Sequence, residues 1–409
     1  MTSVVFKSHT RNTDYSFIYR LSHLNECGYK CFFIFFITFL SGCDVLGFNV
    51  AGANIRFLYV FSFFMLLFSF WRIYVDKKLL RIFLFYLITV IFSLYNSLNF
   101  AKGISSLIWM ILNFLFLISL FLSLVKITSI TRPQLYSIVI YCYRIQLLIG
   151  LLLMVLGVHE RIQAFYYEPS YMSISLTIYV SILLKYFFAG KKLYLDFTLI
   201  LLFLLFSFSA NFILVLSFLF FVFLLQNFSV KIIIPLFLVF ILAVMYVDFV
   251  DDLNTLAIRK IINGDFDFSL LLDRGGNRLS RFLSAKDVFL LNPWFGIGLS
   301  SYEDYSLIHG IPNYSQGVSY LNAVGLPVIN IYLESLTTTG IVGFSGFCVF
   351  WGCFVRKALY NLWSPFSSAL LVMLLVLNFE SNSLRPYLWL VIGLLLADIW
   401  LKKNEKNYI

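Results

Sequence analysis

The chain has 409 residues, of which 61% are hydrophobic and only 12% are charged, and 48 of them are phenylalanine. A soluble domain carries about twice that share of charged residues. The composition therefore excludes an ordinary soluble enzyme, a disordered chain and a disulfide-stabilised scaffold, and it predicts an all-α polytopic integral membrane protein. The net charge of +10 is unusual for such a chain, and its meaning depends on where the cations lie.

Twelve apolar blocks are candidate transmembrane helices, because a hydrocarbon core of about 30 Å needs roughly 20 apolar residues per helix. The stretch 193–226 is too long for one helix, and we divide it at the polar residues between Ser207 and Asn211. The blocks begin near Cys31, Ile55, Leu79, Ile104, Leu135, Ser170, Leu193, Asn211, Lys231, Gly340, Phe366 and Pro386.

Connections rich in lysine and arginine alternate along the chain with connections that hold few of them. Most of the 30 cations fall in the segments on one side, whereas each short connection on the other side holds one at most. The positive-inside rule then predicts that both termini are cytoplasmic. The basic charge is thus a topology signal, and we expect no nucleic-acid partner.

The chain divides at one large extracytoplasmic loop between the ninth and tenth helices. We predict the following parts: a cytoplasmic segment 1–30, helices one to nine in 31–250, the large loop 251–327, an interfacial helix and the last three helices in 328–401, and a cytoplasmic tail 402–409. A loop of this length in a compact protein is usually functional or disordered, and its recurring aromatic and aliphatic residues favour function.

Within the loop, apolar spacing predicts a helix from Arg278 to Leu291 that Pro293 ends. Residues 292–298 are typical of a tight turn. After Pro327, an amphipathic helix is predicted at the membrane interface, followed by a break before Gly340. The six cysteines form no Cys-x-x-Cys pair, and no carboxylate or histidine cluster has metal-ligand spacing. We expect neither a metal nor another cofactor.

Four motifs follow one another along the chain: Arg161 followed by Glu168-Pro169-Ser170, Arg278 in its helix, Asn292-Pro293-x-x-Gly296-x-Gly298, and Asn330-x-x-Leu333-Glu334 ahead of Thr339-Gly340. In order and in topological position they resemble the O-antigen polymerase (Wzy) and ligase superfamily of lipopolysaccharide synthesis. The resemblance implies about 12 transmembrane helices in a bacterial inner membrane, with the large loop in the periplasm.

One position favours the polymerase over the ligase. Ligases of this superfamily carry a histidine directly before the asparagine of the helix that ends the loop, but Ile329 precedes Asn330 here, and the loop histidine His309 lies about twenty residues earlier. The ligase remains the alternative within the superfamily. A flippase or other transporter of lipid-linked oligosaccharide is the alternative from another class, although such proteins usually show internal repeats and charged transmembrane paths.

The resemblance implies a glycosyltransferase, and the lack of residues at metal-ligand spacing predicts that it is metal-independent. It would transfer the growing glycan from undecaprenyl diphosphate to the next lipid-linked repeat unit. Its partners would be this undecaprenyl-diphosphate-linked oligosaccharide and membrane lipids, with a chain-length regulator and a flippase of the same pathway.

Catalysis of this transfer requires cations for the departing diphosphate and a carboxylate for the proton of the acceptor hydroxyl. Arginine suits the first task because its planar fork binds phosphate oxygens in pairs. The candidate diphosphate ligands are Arg161, Arg278, Arg281, Arg385 and Arg144. Glu168 and Glu334 are the candidate bases, and Asn292, Pro293, Gly296, Gly298 and Asn330 are expected to shape the loop.

Each candidate has a structural alternative. Arg161 and Glu168 could form a surface ion pair, Arg278 and Arg281 a solvated helix face, and Arg144 a contact with an interior partner. Arg385, with Glu380, could anchor a helix end. Trp294, Tyr302 and Tyr305 could stack on sugar rings or anchor the loop at the interface.

Overall fold

The computed structural model describes residues 31–50, 53–68, 73–128, 130–226, 277–311, 323–381 and 383–405. These residues form helices and one antiparallel hairpin, in which Gly47 pairs with Arg56. In chain order the elements are α1 Cys31–Leu40, β1 Gly47–Val50, β2 Ala53–Arg56, α2 Phe57–Phe68, α3 Lys77–Ile91, α4 Phe100–Thr128, α5 Arg132–Val155, α6 Pro169–Phe188, α7 Tyr194–Ser207, α8 Ala210–Gln226, α9 Asn277–Leu291, α10 Tyr302–His309, α11 Ile331–Tyr360, α12 Pro365–Val376 and α13 Pro386–Glu405.

The helices confirm the predicted all-α membrane architecture. Five of those in the described residues are long and apolar enough to cross a membrane, namely α3 with its 3₁₀ extension to Asn96, α4, α5, α6 and α11. Shorter apolar helices accompany them. The predicted block near Lys231 and the loop residues 251–276 and 312–322 lie outside the described residues, so the count of twelve spans and the extent of the loop stay predictions.

The predicted division of residues 193–226 is confirmed. Helix α7 ends at Ser207, Phe208 adopts a left-handed conformation with φ 49°, and α8 begins at Ala210. A left-handed residue cannot continue a right-handed helix. Two short helices therefore replace one long one.

The connections between helices meet at two ends of the bundle. At one end, which we call the loop end, the described residues of four connections (41–50 with 53–56, 92–99, 156–168, and 377–381 with 383–385) contact one another and the elements α9 and α10. There Val45 N donates to the Phe165 carbonyl at 3.0 Å, and Lys102 of α4 pairs with Glu303 of α10 at 2.7 Å.

The opposite end, which we call the basic end, carries the cation-rich connections. Arg132 Nε lies 2.8 Å from a carboxylate oxygen of Asp398 in α13. Lys185 Nζ donates to the Trp363 carbonyl at 3.2 Å. The two ends of the bundle agree with the alternation of cations along the sequence, because cation-rich connections meet at one end and cation-poor connections meet at the other.

A π-helical segment in α4 fixes the position of the connection before α13. Asn113 begins this segment, which extends to Leu120. Its side-chain amide donates to the Leu384 carbonyl at 3.1 Å and accepts from the Tyr59 hydroxyl at 2.7 Å. Such π segments insert one extra residue per turn and often occur at functional sites. Here the segment holds the residue directly before Arg385.

Candidate functional site

The turn after α9 docks into a break in α11. Gly340 interrupts α11 with φ 64° and ψ −172°. An unbroken helix would bond the N–H groups of residues 341 and 342 to the carbonyls of Thr337 and Thr338. The break leaves these four groups without helical partners, and such groups are costly inside a membrane protein.

Residues 292–298, which we call the docked turn, supply the missing partners. Ile341 N donates to the Pro293 carbonyl at 2.8 Å, and Val342 N donates to the Trp294 carbonyl at 3.2 Å. In return, residues 297 and 298 donate their N–H groups to the carbonyls of residues 337 and 338, both at 3.0 Å. All four backbone groups are therefore satisfied, and the turn is fixed to α11.

Two glycines allow this close approach. Gly296 and Gly340 have φ of 66° and 64°, which side-chain-bearing residues rarely adopt. A Cβ at Gly296 would lie 2.6 Å from the Thr337 carbonyl oxygen, and a Cβ at Gly340 would lie 2.5 Å from Phe295 N. Gly298 (φ 101°) faces the backbone of Ser97 in the same way. The motif glycines thus shape the backbone.

Asn330 and Asn292 also act on the backbone. The Asn330 side chain caps α11, accepting from the N–H groups of Tyr332 and Leu333 at 3.0 and 2.9 Å. Its amide donates to the Asn378 carbonyl at 3.1 Å. The Asn292 carbonyl accepts from Gly296 N at 3.1 Å and closes the docked turn.

Gly340→Ala should destabilise the protein, because the added Cβ meets the docked turn and the left-handed backbone costs about 1–2 kcal/mol by itself. The melting temperature in detergent should fall clearly. Gly352→Ala in the same helix is the control, since a Cβ there would meet nothing within 4 Å. Equal melting temperatures for the two variants would contradict the docking.

Two arginines of α9 face the connection before α13. Arg278 Nη2 lies 3.9 Å from Glu380 Oε2, and the Arg278 side chain keeps 47% of its surface exposed. Arg281 is more enclosed, and its Nη1 donates to the Pro327 carbonyl at 3.0 Å. Burial and the neighbouring Arg278 lower the pKa of the Arg281 guanidinium. Two cationic side chains thus lie close together at a surface that is partly exposed to solvent.

A small core orients α9 toward this surface. The Tyr302 hydroxyl donates to the Arg281 carbonyl at 3.0 Å. The Tyr302 side chain is packed in this small core, with 3% of its surface exposed. The buried members of this core are Ala285, Val288, Ile297, Tyr302 and Val328.

A second charged group consists of Asp44, Arg56 and Arg385, and the sequence did not predict that these residues meet. Asp44 follows α1 and is completely buried. Its carboxylate lies 3.1 Å from Arg385 Nη1 and 3.5 Å from Arg56 Nη2. The Arg385 guanidinium also lies 4.4 Å from the ring centroid of Tyr171 and 5.3 Å from that of Tyr167. The sequence signal was the rare charge at each of these helix ends, but only the fold shows that they meet.

Three further carboxylates lie at the loop end. Glu168 is exposed, precedes α6 and accepts from the Ser170 hydroxyl at 3.0 Å. Glu334, in the first turn of α11, accepts a hydrogen bond from the Ser381 hydroxyl. Glu380 is 9% exposed. Burial raises the pKa of the Glu380 carboxyl above its usual value, the cation of Arg278 opposes this, and Glu168 adds to it.

Arg161 lies apart from the two arginine groups. It is exposed, and its guanidinium lies 6.0 Å from the ring centroid of Phe208. Within the described ranges, no ion pair joins it to Glu168, so the surface pair considered for these two residues does not form. Trp294 is 65% exposed, and Tyr305 stacks on His309 with ring centroids 4.3 Å apart.

Arg144 is also outside the site. It lies near the middle of α5, where its Nε and Nη2 donate to Asp196 at 2.5 and 2.6 Å. Tyr179 donates to the same carboxylate at 2.5 Å. Tyr179 is eight residues along α6 from Tyr171, about 12 Å deeper in the bundle. The interior partner of Arg144 is thus a carboxylate that the sequence reading did not pair with it.

Arg144→Leu should therefore destabilise the fold by about 3–5 kcal/mol, because it strands the buried charge of Asp196. Replacing both residues by leucine should recover most of the loss, and the double variant should keep its activity. Melting curves of the single and double variants measure the coupling. Loss of activity in a well-folded double variant would contradict this account and indicate that Arg144 belongs to the functional site.

At the loop end, therefore, four arginines and four carboxylates come together from five segments of the chain that are distant in sequence. The arginines can hold a diphosphate, and a carboxylate with a raised pKa can accept a proton. Among the described residues, no group of three or more His, Cys, Asp or Glu side chains could hold a metal ion.

Residues 193–348 match the O-antigen ligase family model (Wzy_C). The match confirms the resemblance to the O-antigen polymerase and ligase superfamily. Members of the Wzy_C family are glycosyltransferase-like enzymes that act on lipid-linked glycans, and the family covers both polymerase and ligase activities. No curated protein gives a significant match to the chain.

The Wzy_C segment covers only part of the site. It extends from the start of α7 into α11 and includes Arg278, Arg281, Glu334 and the docked turn. Asp44, Arg56, Glu168, Glu380 and Arg385 lie outside it. The fold brings these residues to the Wzy_C segment.

Proposed function

We propose that this protein is an O-antigen polymerase. It transfers the growing glycan from undecaprenyl diphosphate to a hydroxyl of the next lipid-linked repeat unit, at the periplasmic face of the inner membrane. The observation that carries the proposal is the convergence of arginines and carboxylates at the loop end. We assign that end to the periplasm because the other end holds the cation-rich connections.

Arg278 and Arg281 are the proposed ligands of the donor diphosphate. The bond between the anomeric carbon and the diphosphate breaks during the reaction, and its electron pair leaves with the phosphate oxygen. Fixed cations beside that oxygen stabilise the transition state more than the bound substrate. Arg278 suits this role because its ion pair with Glu380 is long, at 3.9 Å, and its side chain is accessible.

Glu380 is the proposed general base, in preference to the carboxylates predicted from sequence. The acceptor oxygen attacks the anomeric carbon, and its proton passes to the carboxylate. A raised pKa makes the carboxylate a better proton acceptor, and burial raises that of Glu380. When the diphosphate engages Arg278, Glu380 loses its ion-pair partner and becomes more basic. The preference for Glu380 rests on its position: it faces Arg278 at 3.9 Å, whereas Glu168 is exposed and Glu334 pairs with the Ser381 hydroxyl.

The ligase is the second candidate, because the description of the matching family model names that activity. Ile329 is evidence against the ligase. This residue directly precedes the cap of α11, where the ligases of the superfamily carry histidine. An isoleucine there can neither transfer a proton nor bind a phosphate.

Deleting the gene tests the proposal in cells. The polymerase assignment predicts lipid A-core capped with a single repeat unit, since ligation and flipping would continue. Core without any repeat unit would indicate loss of a ligase or a flippase and would contradict the proposal. Electrophoresis of the extracted lipopolysaccharide distinguishes the two outcomes.

A further inference from the structure

The cluster of Arg56, Asp44 and Arg385, which we call the arginine triad, has no role in the donor chemistry above. Its arginines come from β2 and from the residue before α13, on opposite sides of the buried carboxylate of Asp44. Two guanidinium groups and one carboxylate give the triad a net charge of +1.

The triad retains the capacity to bind an anion. Each guanidinium has five N–H donors, of which Asp44 and the hydroxyl groups of Tyr59 and Tyr171 engage some. The side chains of Arg56 and Arg385 keep 18% and 17% of their surface exposed, while that of Asp44 is fully enclosed. Asp44 therefore contacts both arginines from the buried side, and part of each arginine side chain remains accessible to solvent.

Tyr171 and Glu380 connect the triad to the donor arginines. Tyr171 lies against Arg385 and is within electrostatic range of Glu380 and Glu168. Glu380 in turn is within electrostatic range of Arg278 and Arg281. The triad and the donor arginines therefore both lie near the proposed base.

We propose that the arginine triad binds the diphosphate of the acceptor lipid, an inference that rests on the proposed polymerase function. Polymerisation brings two lipid diphosphates to one site. The donor diphosphate gains charge as its bond breaks, so it needs cations that are free to respond, as Arg278 is. The acceptor diphosphate keeps its charge throughout, so a partly neutralised triad suffices to hold it.

The test is an initial-rate assay of the purified protein with two acceptors that carry the same sugars. One acceptor is linked to an alkyl diphosphate, and the other to an alkyl alcohol. Arg56→Gln is the main variant because it leaves the ion pair between Asp44 and Arg385 in place. Lys102→Gln, a cation at the same end that pairs with Glu303, is the control.

For Arg56→Gln we expect the KM of the diphosphate-linked acceptor to rise about tenfold, the loss typical of one charge-assisted contact. The kcat and the donor KM should change less than twofold, and Arg56→Lys should restore part of the affinity. The KM of the alcohol-linked acceptor should not change. A merely structural role would affect both acceptors equally, and that result would overturn the inference, as would a rise confined to the donor KM.

A second measurement does not depend on the variant folding. An alkyl diphosphate without sugars should inhibit the wild-type protein competitively against the donor and also against the diphosphate-linked acceptor. Competition against the donor alone would overturn the acceptor site and leave the polymerase intact. Failure of the wild-type protein to join either acceptor to the donor glycan would instead refute the proposed function.

Discussion

Arg278→Ala should reduce glycan transfer by a factor of about 10²–10³, the usual effect of removing one fixed group that stabilises developing negative charge. The substitution removes a cation from the proposed donor site, so the barrier for departure of the diphosphate rises. In cells, the lipopolysaccharide should carry mainly single repeat units. The protein should still accumulate in the membrane, because the side chain is half exposed and its ion pair is long.

Lys286→Ala is the matched control for this variant. Lys286 is an exposed cation of the same helix, so its removal changes the charge and the helix equally but leaves the site intact. We expect long chains from Lys286→Ala. Long glycan chains from Arg278→Ala at normal protein levels would contradict the assignment of Arg278 to the donor site.

Glu380→Gln should lower kcat by a factor of about 10²–10⁴, the range expected for loss of a general base. The amide keeps the shape of the side chain but cannot accept the proton. We expect smaller effects from Glu168→Gln and Glu334→Gln. If either of these reduces kcat more than Glu380→Gln does, that carboxylate is the base.

The pH dependence tests the same residue in the wild-type protein. The deprotonated carboxylate is the active form, so kcat should fall as the pH decreases through the pKa of Glu380. Burial raises that pKa, so the midpoint should lie above about 4.3, the value for an unperturbed glutamate. This acid limb should disappear in Glu380→Gln. An unchanged limb in that variant would assign the titration to another group.

Local patterns in the sequence predicted the local elements well. The helix before Pro293 and the turn 292–298 follow from proline and glycine, whose backbone preferences are strong, and the division of 193–226 follows from its length and the polar residues between Ser207 and Asn211. Gly340 was expected to separate two helices. The structure confirms this break, because Gly340 has non-helical dihedral angles and the docked turn supplies the hydrogen bonds that the break would otherwise lose.

The pairing of charges across helices could not be read from the sequence. Asp44 and Arg385 are 341 positions apart in the numbering, and no periodicity connects them. Arg144 was a reasonable candidate for function because charge is rare inside a membrane, but its partner Asp196 lies at the start of another helix. Arg278 and Arg281 lie one turn apart on a predicted helix, so their proximity follows from the sequence. The arginine triad depends on how distant segments pack and emerges only from the fold.

Reconstitution with defined substrates tests the central claim most directly. The purified protein is supplied only with repeat units linked to undecaprenyl diphosphate, and the products are separated by length. The polymerase account predicts a ladder of longer glycans that remain attached to undecaprenyl diphosphate, with one undecaprenyl diphosphate released for each new bond. No ladder from active protein, with transfer appearing only after lipid A-core is added, would contradict the account and establish a ligase.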